Sequence, residues 1–182
     1  ITSVNTNNKE ASVKFINLEP LPPKNPEPGK AFATPFAITV TNDDKMLISS
    51  AAGSNKIFTM DARTGEILGS TEVGAVPRGI TIEYSNQKKP IKAWVLNAVD
   101  NSVSLVDISS PEKPKVTKTI TLDDPTHPTF KEGRIAFNNA RASTTETFSC
   151  ASCHPDGHTD QLLWVLDTPI VTGGNQIMPR ST

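Results

Sequence analysis

The sequence lacks a run of basic residues and a long run of apolar residues. It has 18 Lys and Arg against 19 Asp and Glu, for a formal net charge of −1, so nothing in its charge predicts binding to nucleic acid. No apolar stretch approaches the ~20 residues that a membrane-spanning helix needs. Proline, in contrast, is frequent at 15 residues, which favours short strands and turns over long helices.

Cysteine and histidine are scarce, and most of them lie together. The two cysteines are Cys150 and Cys153, and His154 follows directly. This C-x-x-C-H pattern is typical of the attachment site of a c-type haem. Each thiol can add to one vinyl group of the same porphyrin, and the histidine is then placed beneath the iron as its proximal ligand. We therefore expect one covalently bound haem c, with redox chemistry at its iron.

Two other interpretations of the same residues stay open. A compact zinc site could use Cys150, Cys153, His154 and His158, although four ligands would then come from nine residues. Structural zinc sites usually draw on two separated pairs of ligands, and the only further histidine is His127. The two cysteines could also form a plain redox dithiol.

The first part of the chain contains repeats. Residues 35–40 recur at 77–82, residues 54–61 recur at 100–107, and a weaker copy lies at 12–18. A spacing of about 40 to 50 residues with several short strands per repeat is typical of β-propeller blades. The alternative is an antiparallel sandwich without blades.

Each repeat predicts four strands separated by turns rich in Gly, Asn and Asp. The first repeat predicts strands at 36–40, 46–49, 56–61 and 66–72, and the second at 79–83, 93–97, 103–108 and 115–122.

These repeats resemble the YVTN type of β-propeller repeat over residues 12–122. In that family a strand ends in Asp, a Thr-Gly turn follows, and the next strand leads to Gly-x-x-Pro-x-Gly-Ile. Here Asp61, the Thr64-Gly65 turn and residues 74–80 match that pattern, and residues 94–97 lie where the Tyr-Val-Thr-Asn strand falls. The second copy departs from it, because residues 109–114 replace the Thr-Gly turn.

The later part of the chain resembles the haem domain of bacterial di-haem cytochrome c peroxidases. There a Gly-x-x-Leu-Phe helix leads to a Ser-Cys-x-x-Cys-His site, which Gly133, Phe137 and residues 149–154 match in part. Two departures matter. There is one haem motif rather than two, and no histidine follows His158, where those enzymes carry a distal ligand. The resemblance implies peroxidase-like or oxidase-like chemistry, or electron transfer.

The sequence therefore predicts a mainly β chain of two segments. Residues 1–122 form incomplete propeller blades, and residues 123–182 form an incomplete, mostly α-helical or irregular c-type cytochrome segment with a helix at 131–140. Propellers need four or more blades around their channel. We therefore expect a longer chain, or partner chains, to complete both the propeller and the haem pocket.

Several residues are candidates for the surroundings of the haem. Met178 would give a His/Met iron site on the distal side, and His127 is the second candidate distal ligand. His158 is a weaker candidate, and an open position or a ligand from a missing segment is the remaining possibility. Trp164 lies in an apolar run that predicts pocket core. Arg180 is a candidate partner for a haem propionate, and His158 would lie near a propionate or in solvent.

These residues predict an extracytoplasmic redox protein, an oxidoreductase or an electron-transport protein, that works with a redox partner protein. The alternative is a propeller-based binding module, or a subunit of a larger multihaem complex in which the haem only relays electrons. Covalent attachment of haem normally takes place outside the cytoplasm, which predicts a periplasmic or extracellular location. The chain begins at Ile1 without a signal peptide, so we expect that an export signal was removed or that this is an internal piece.

Overall fold

A computed structural model describes residues 1–4, 13–21, 24–162, 164–165 and 176–177. Antiparallel sheets make up most of the regular secondary structure. The strands are β1 (Thr2–Val4), β2 (Val13–Phe15), β3 (Pro35–Val40), β4 (Met46–Ala51), β5 (Lys56–Asp61), β6 (Ile67–Glu72), β7 (Pro77–Tyr84), β8 (Pro90–Asn97), β9 (Ser102–Asp107), β10 (Lys115–Thr121), β11 (Trp164–Val165) and β12 (Gln176–Ile177). The helices are α1 (Pro128–Asn138) and α2 (Cys150–Cys153).

The two sequence repeats form two four-stranded sheets. Strands β3 to β6 make the first sheet and β7 to β10 the second, and in each the strands lie side by side in chain order. Consecutive strands pair antiparallel throughout. This meander is the architecture of a propeller blade, so the mainly β fold is confirmed. We call the two sheets blade 1 and blade 2.

The turn after β5 explains why the Asp-x-x-Thr-Gly sequence ends a strand. One carboxylate oxygen of Asp61 accepts hydrogen bonds from the backbone N–H groups of Arg63 (3.0 Å) and Thr64 (2.7 Å) and from the Thr64 hydroxyl (3.0 Å). These bonds, led by that of the Thr64 N–H, hold the pKa of Asp61 below its usual value. Gly65 then adopts a φ of +78°, which favours glycine.

The blades pack face to face through an apolar core. Buried side chains from both sheets form it, namely Met46, Ile48 and Ile57 of blade 1 and Ala93, Val95, Val106 and Ile108 of blade 2. Two twisted sheets can bury their facing apolar residues in this way, and that burial is the main source of stability for such a pair.

The other face of blade 1 is also covered. Phe58 and Met60 point away from blade 2 and pack with Ile16 and Phe32 from the segment before β3. The rings of Phe32 and Phe58 lie 4.7 Å apart. The weak repeat copy at 12–18 contributes β2, which pairs only with β1. Within the described residues, it forms a hairpin rather than a third four-stranded blade.

Helix α1 attaches the second segment to the blades. It starts three residues earlier than the sequence predicts, because Pro128 occupies its first turn and Nδ1 of His127 accepts from the N–H of Thr129 at 3.4 Å. It ends at Asn138 rather than at 140. Ile135 packs against a small cluster of buried residues between the blades. The described part of the chain contains no helix that is long and apolar enough to cross a membrane.

Polar contacts add to this attachment. Arg141 forms an ion pair with Glu72 at the end of β6. The carboxylate of Glu146 accepts a hydrogen bond from the N–H of Gly29 at 2.7 Å. Lys131 pairs with Asp124 at 3.2 Å and donates to the carbonyl of Asp100 at 2.7 Å. The segment that carries the C-x-x-C-H motif is therefore held against both blades.

Candidate functional site

The two cysteines lie on a single helical turn. Helix α2 begins after Ser149, whose N–H donates to the Ser152 hydroxyl at 3.0 Å. Cys150 and Cys153 are three residues apart, so their side chains emerge on the same side of the turn. Both thiols are free, Cys150 is exposed and Cys153 is partly buried. The turn therefore presents two reduced thiols side by side, as attachment to one porphyrin requires.

Cys153 has an altered acidity. Burial raises the pKa of its thiol, and the carboxylate of Asp160 and the neighbouring Cys150 add to the effect. The backbone N–H of Asp160 donates to the carbonyl of Cys153 at 3.1 Å, so the chain returns to the motif at this point. Cys153 is therefore held as the neutral thiol at neutral pH.

His154 ends the turn, and a backbone carbonyl contacts one of its ring nitrogens. Its backbone N–H donates to the carbonyl of Cys150 at 3.0 Å, and its Nδ1 lies 2.9 Å from the carbonyl oxygen of His158. A carbonyl oxygen can only accept, so the proton is on Nδ1. Nε2 then carries the free lone pair, which is the arrangement of a metal-binding imidazole whose second nitrogen is held by a backbone group.

A tight turn brings the carbonyl of His158 to His154. Asp156 (φ 52°) and Gly157 (φ +81°) are both left-handed. Asp is among the few non-glycine residues that tolerate this conformation, and Gly157 adopts it without strain. The sequence Pro155-Asp156-Gly157 is predicted to stop the helix early, and α2 does end before it.

A cavity of about 610 Å³ lies beside the motif. Its volume falls within the range of small-molecule and cofactor sites. The lining residues come from α1, β7 and the turn after His154, namely Arg78, Thr129, Phe130, Gly133, Arg134, Phe137, Asn138, Asp156 and Gly157. The cysteines and His154 do not line it. Phe137 lines the cavity and also lies next to the motif, because its ring centre is 6.5 Å from that of His154.

Arg78 is a candidate site residue that the sequence does not reveal. It lies on β7, and two of its guanidinium nitrogens contact one carboxylate oxygen of Asp156 at 3.2 Å. The guanidinium also stacks over the ring of Phe36, 4.8 Å from its centre. No local sequence signal identifies this contact, because 78 positions separate Arg78 from Asp156.

The remaining sequence candidates are placed as follows. Nδ1 of His127 caps α1, and its ring packs edge-on against Phe130, 6.2 Å away. Trp164 lies in the short strand β11, paired with Ile177, and its side chain is outside the described part. Met178 and Arg180 lie outside the described residues. The structure therefore brings His154 and His158 together, but it leaves the distal ligand a prediction.

The four residues of the zinc alternative do not form a metal cluster. Among the residues that the structure describes, no group of three or more His, Cys, Asp or Glu side chains could hold a metal ion. His158 contacts His154 through its backbone carbonyl rather than its ring. A haem iron needs only one axial ligand from this motif, since the porphyrin supplies the other nitrogens. Within the described part of the chain, these four residues therefore form no preformed zinc site.

The sequence matches no protein family model and no curated protein. Among solved structures, the chain is similar to the β-propeller domain of Cps50 (Swd1) from Myceliophteria thermophila, with 14% identity, a TM-score of 0.50, and coverage of 66% of this chain and 38% of that one. It is also similar to hydrazine synthase from Kuenenia stuttgartiensis, with 29% identity, a TM-score of 0.43, and coverage of 53% and 24%. The first likeness shows a β-propeller fold. The chain spans less than two fifths of either structure.

Proposed function

We propose that this chain is an extracytoplasmic redox protein that carries one c-type haem, bound covalently through Cys150 and Cys153. The observation that supports this best is the contact of His154 Nδ1 with the carbonyl of His158 at 2.9 Å. This contact leaves Nε2 of His154 free. His154 follows directly after the turn that carries the two thiols, of which Cys150 is exposed and Cys153 partly buried. When bound, the haem iron supplies one-electron redox chemistry.

The residues around the motif would have different roles in holding the haem. Cys150 and Cys153 would hold the haem through thioether bonds. Each bond would form by addition of S–H across a vinyl double bond, which needs no oxidant. His154 would supply a nitrogen ligand to the iron, and the His158 carbonyl holds the orientation of its ring and would increase its basicity. Phe130 and Phe137 line the adjacent cavity and would present apolar surface to a porphyrin bound there.

The test is to express the chain in a host that attaches haem to exported proteins. Acid–acetone extraction should leave the colour on the protein, and metal analysis should find iron rather than zinc. The Cys150→Ala and Cys153→Ala variants should each retain one thioether bond. The pyridine haemochrome band should then shift toward that of a haem with one unreacted vinyl group. Colour that moves wholly into the solvent would refute the proposal.

The iron's sixth ligand decides between an enzyme and an electron carrier. A high-spin absorption spectrum would indicate an open position and support peroxidase-like or oxidase-like chemistry. A low-spin spectrum with a band from sulfur ligation would indicate Met178 and electron transfer to a redox partner protein. A Met178→Ala variant separates the two, because only a ligated methionine changes the spin state when it is removed.

A further inference from the structure

The cavity beside the motif has an excess of positive charge. Its charged lining side chains, among the described residues, are Arg78, Arg134 and Asp156. Two cations against one carboxylate leave the walls net positive. The remaining lining is apolar or neutral, so the charge is concentrated at the two arginines. An anionic group that entered the cavity would be attracted to them.

The guanidinium of Arg78 is held in place, but not all of its N–H donors have partners. Asp156 and the ring of Phe36 fix the plane of its guanidinium. Its Nε is buried and has no hydrogen-bond partner among the described residues. Each terminal nitrogen of the guanidinium carries two N–H donors and directs one of them at Asp156. The side chain is 35% exposed and lines the cavity, so an anion in the cavity can reach the remaining donors. Arginine presents its donors in a fork that matches a carboxylate.

Arg134 supplies the second cation from a different element. It lies on α1, one residue after Gly133, and it also lines the cavity. The structure shows no ion pair for its side chain among the described residues. Arg78 comes from blade 2 and Arg134 from the haem segment, so a ligand with two carboxylates could contact both.

We propose that Arg78 and Arg134 bind carboxylate groups, namely the two propionates of the haem attached at Cys150 and Cys153. This inference rests on the proposed function. It makes the propeller part of the haem pocket, since Arg78 belongs to β7. Asp156 then acts as a positioning residue that holds the Arg78 fork beside the turn that follows His154.

The experiment measures the reduction potential of the holoprotein. A nearby cation favours the reduced iron, which carries one positive charge less. The Arg78→Gln and Arg134→Gln variants should therefore each lower the potential. The control is Lys118→Gln, which removes the same charge from the exposed side of β10 and should leave the potential unchanged. Arg78→Lys, which keeps the charge, should recover most of the Arg78→Gln shift.

The outcomes separate the two proposals. A parent protein without covalent haem would refute the proposed function. A parent with covalent haem whose arginine variants match the Lys118→Gln control would overturn this inference alone. Arg134 is exposed and does not hold Asp156, so its variant stays informative if Arg78→Gln fails to fold.

A second experiment tests whether the bound carboxylate belongs to the haem or to an external ligand. Succinate is titrated into the holoprotein while the absorption spectrum is followed. Arginines that hold the propionates have no free fork, so no saturable change is expected. A saturable change that disappears in Arg78→Gln would mean that the site takes an external carboxylate, and it would overturn the assignment to the propionates.

Discussion

Ile57 of blade 1 and Val103 of blade 2 occupy equivalent positions in the repeat, but only Ile57 is fully buried. Ile57 has no exposed surface and packs in the core between the blades. Val103 lines a shallow surface depression with Trp94 and Leu96. The face of blade 1 that carries Ile57 is covered by blade 2. The equivalent face of blade 2 is partly open in the described part of the chain.

This difference in burial predicts that a valine-to-alanine substitution lowers stability more on the covered face of blade 2 than on its open face. Val95 is fully buried against blade 1, so Val95→Ala should lower the free energy of unfolding by about 2 kcal/mol. Val103→Ala should cost under ~1 kcal/mol, because partly exposed side chains lose less on truncation. Urea denaturation followed by circular dichroism measures both. Equal costs would show that a further element covers Val103.

The Asp61 turn predicts a dependence of stability on pH. The pKa of Asp61 is lowered in the folded chain, so in acid the unfolded state binds more protons and stability rises with pH. The stabilising contribution is complete above the usual pKa of Asp61, and it is lost as the pH falls through the lowered value.

Thr64→Ala removes the hydroxyl donor and should flatten this dependence. The comparison is the free energy of unfolding between about pH 5 and pH 2. Thr119→Ala, at an exposed position of β10, is the matched control and should leave the slope unchanged. An unaltered slope in Thr64→Ala would mean that the hydroxyl bond does not contribute.

The blades are largely predictable from the sequence. Their eight strands follow from the repeat and from the turn residues to within three residues at each end, because local turn chemistry and alternating burial carry that signal. The start of α1 at Pro128 is missed, although proline at the first turn of a helix is a recognisable signal. The pairing of Arg78 with Asp156 is not predictable, since it depends on how blade 2 meets the segment that carries the C-x-x-C-H motif.

Gly133 allows a test of whether the cavity holds the haem. A Cβ atom added there meets no atom within 4 Å, so a leucine side chain would extend into the cavity. Leucine is also the better helix former, by roughly 1 kcal/mol. Gly133→Leu should therefore keep or raise the stability of the haem-free protein while it lowers the fraction of protein that carries haem.

The matched control for this variant is Ala136→Leu. Ala136 lies on the same helix, is exposed and does not line the cavity, so its variant should retain full haem content. Haem content is read from the ratio of the Soret absorbance to the protein absorbance, and stability from thermal unfolding. Full haem content with an unchanged spectrum in Gly133→Leu would place the haem elsewhere.

Gly157 lies in the turn that brings the carbonyl of His158 to His154. Gly157 has a φ of +81° and open space around the position of its Cβ atom, so Gly157→Ala strains the backbone without creating a clash. The strain of ~1 kcal/mol should displace the carbonyl of His158 from Nδ1 of His154. A histidine that loses this partner is less basic and donates less to the iron, so the reduction potential of the holoprotein should rise.

Gly29→Ala is the control for this substitution. Gly29 also has a positive φ (+74°) and open space around its Cβ position, and it does not line the cavity, so its variant should lose similar stability and leave the potential unchanged. Spectroelectrochemical titration gives the potential, and urea denaturation gives the stability. A Gly157→Ala protein that is less stable but keeps the parental potential would show that the His158 carbonyl does not tune His154. A rise in potential with little loss of stability would show that the left-handed turn matters for the orientation of His154 rather than for the stability of the fold.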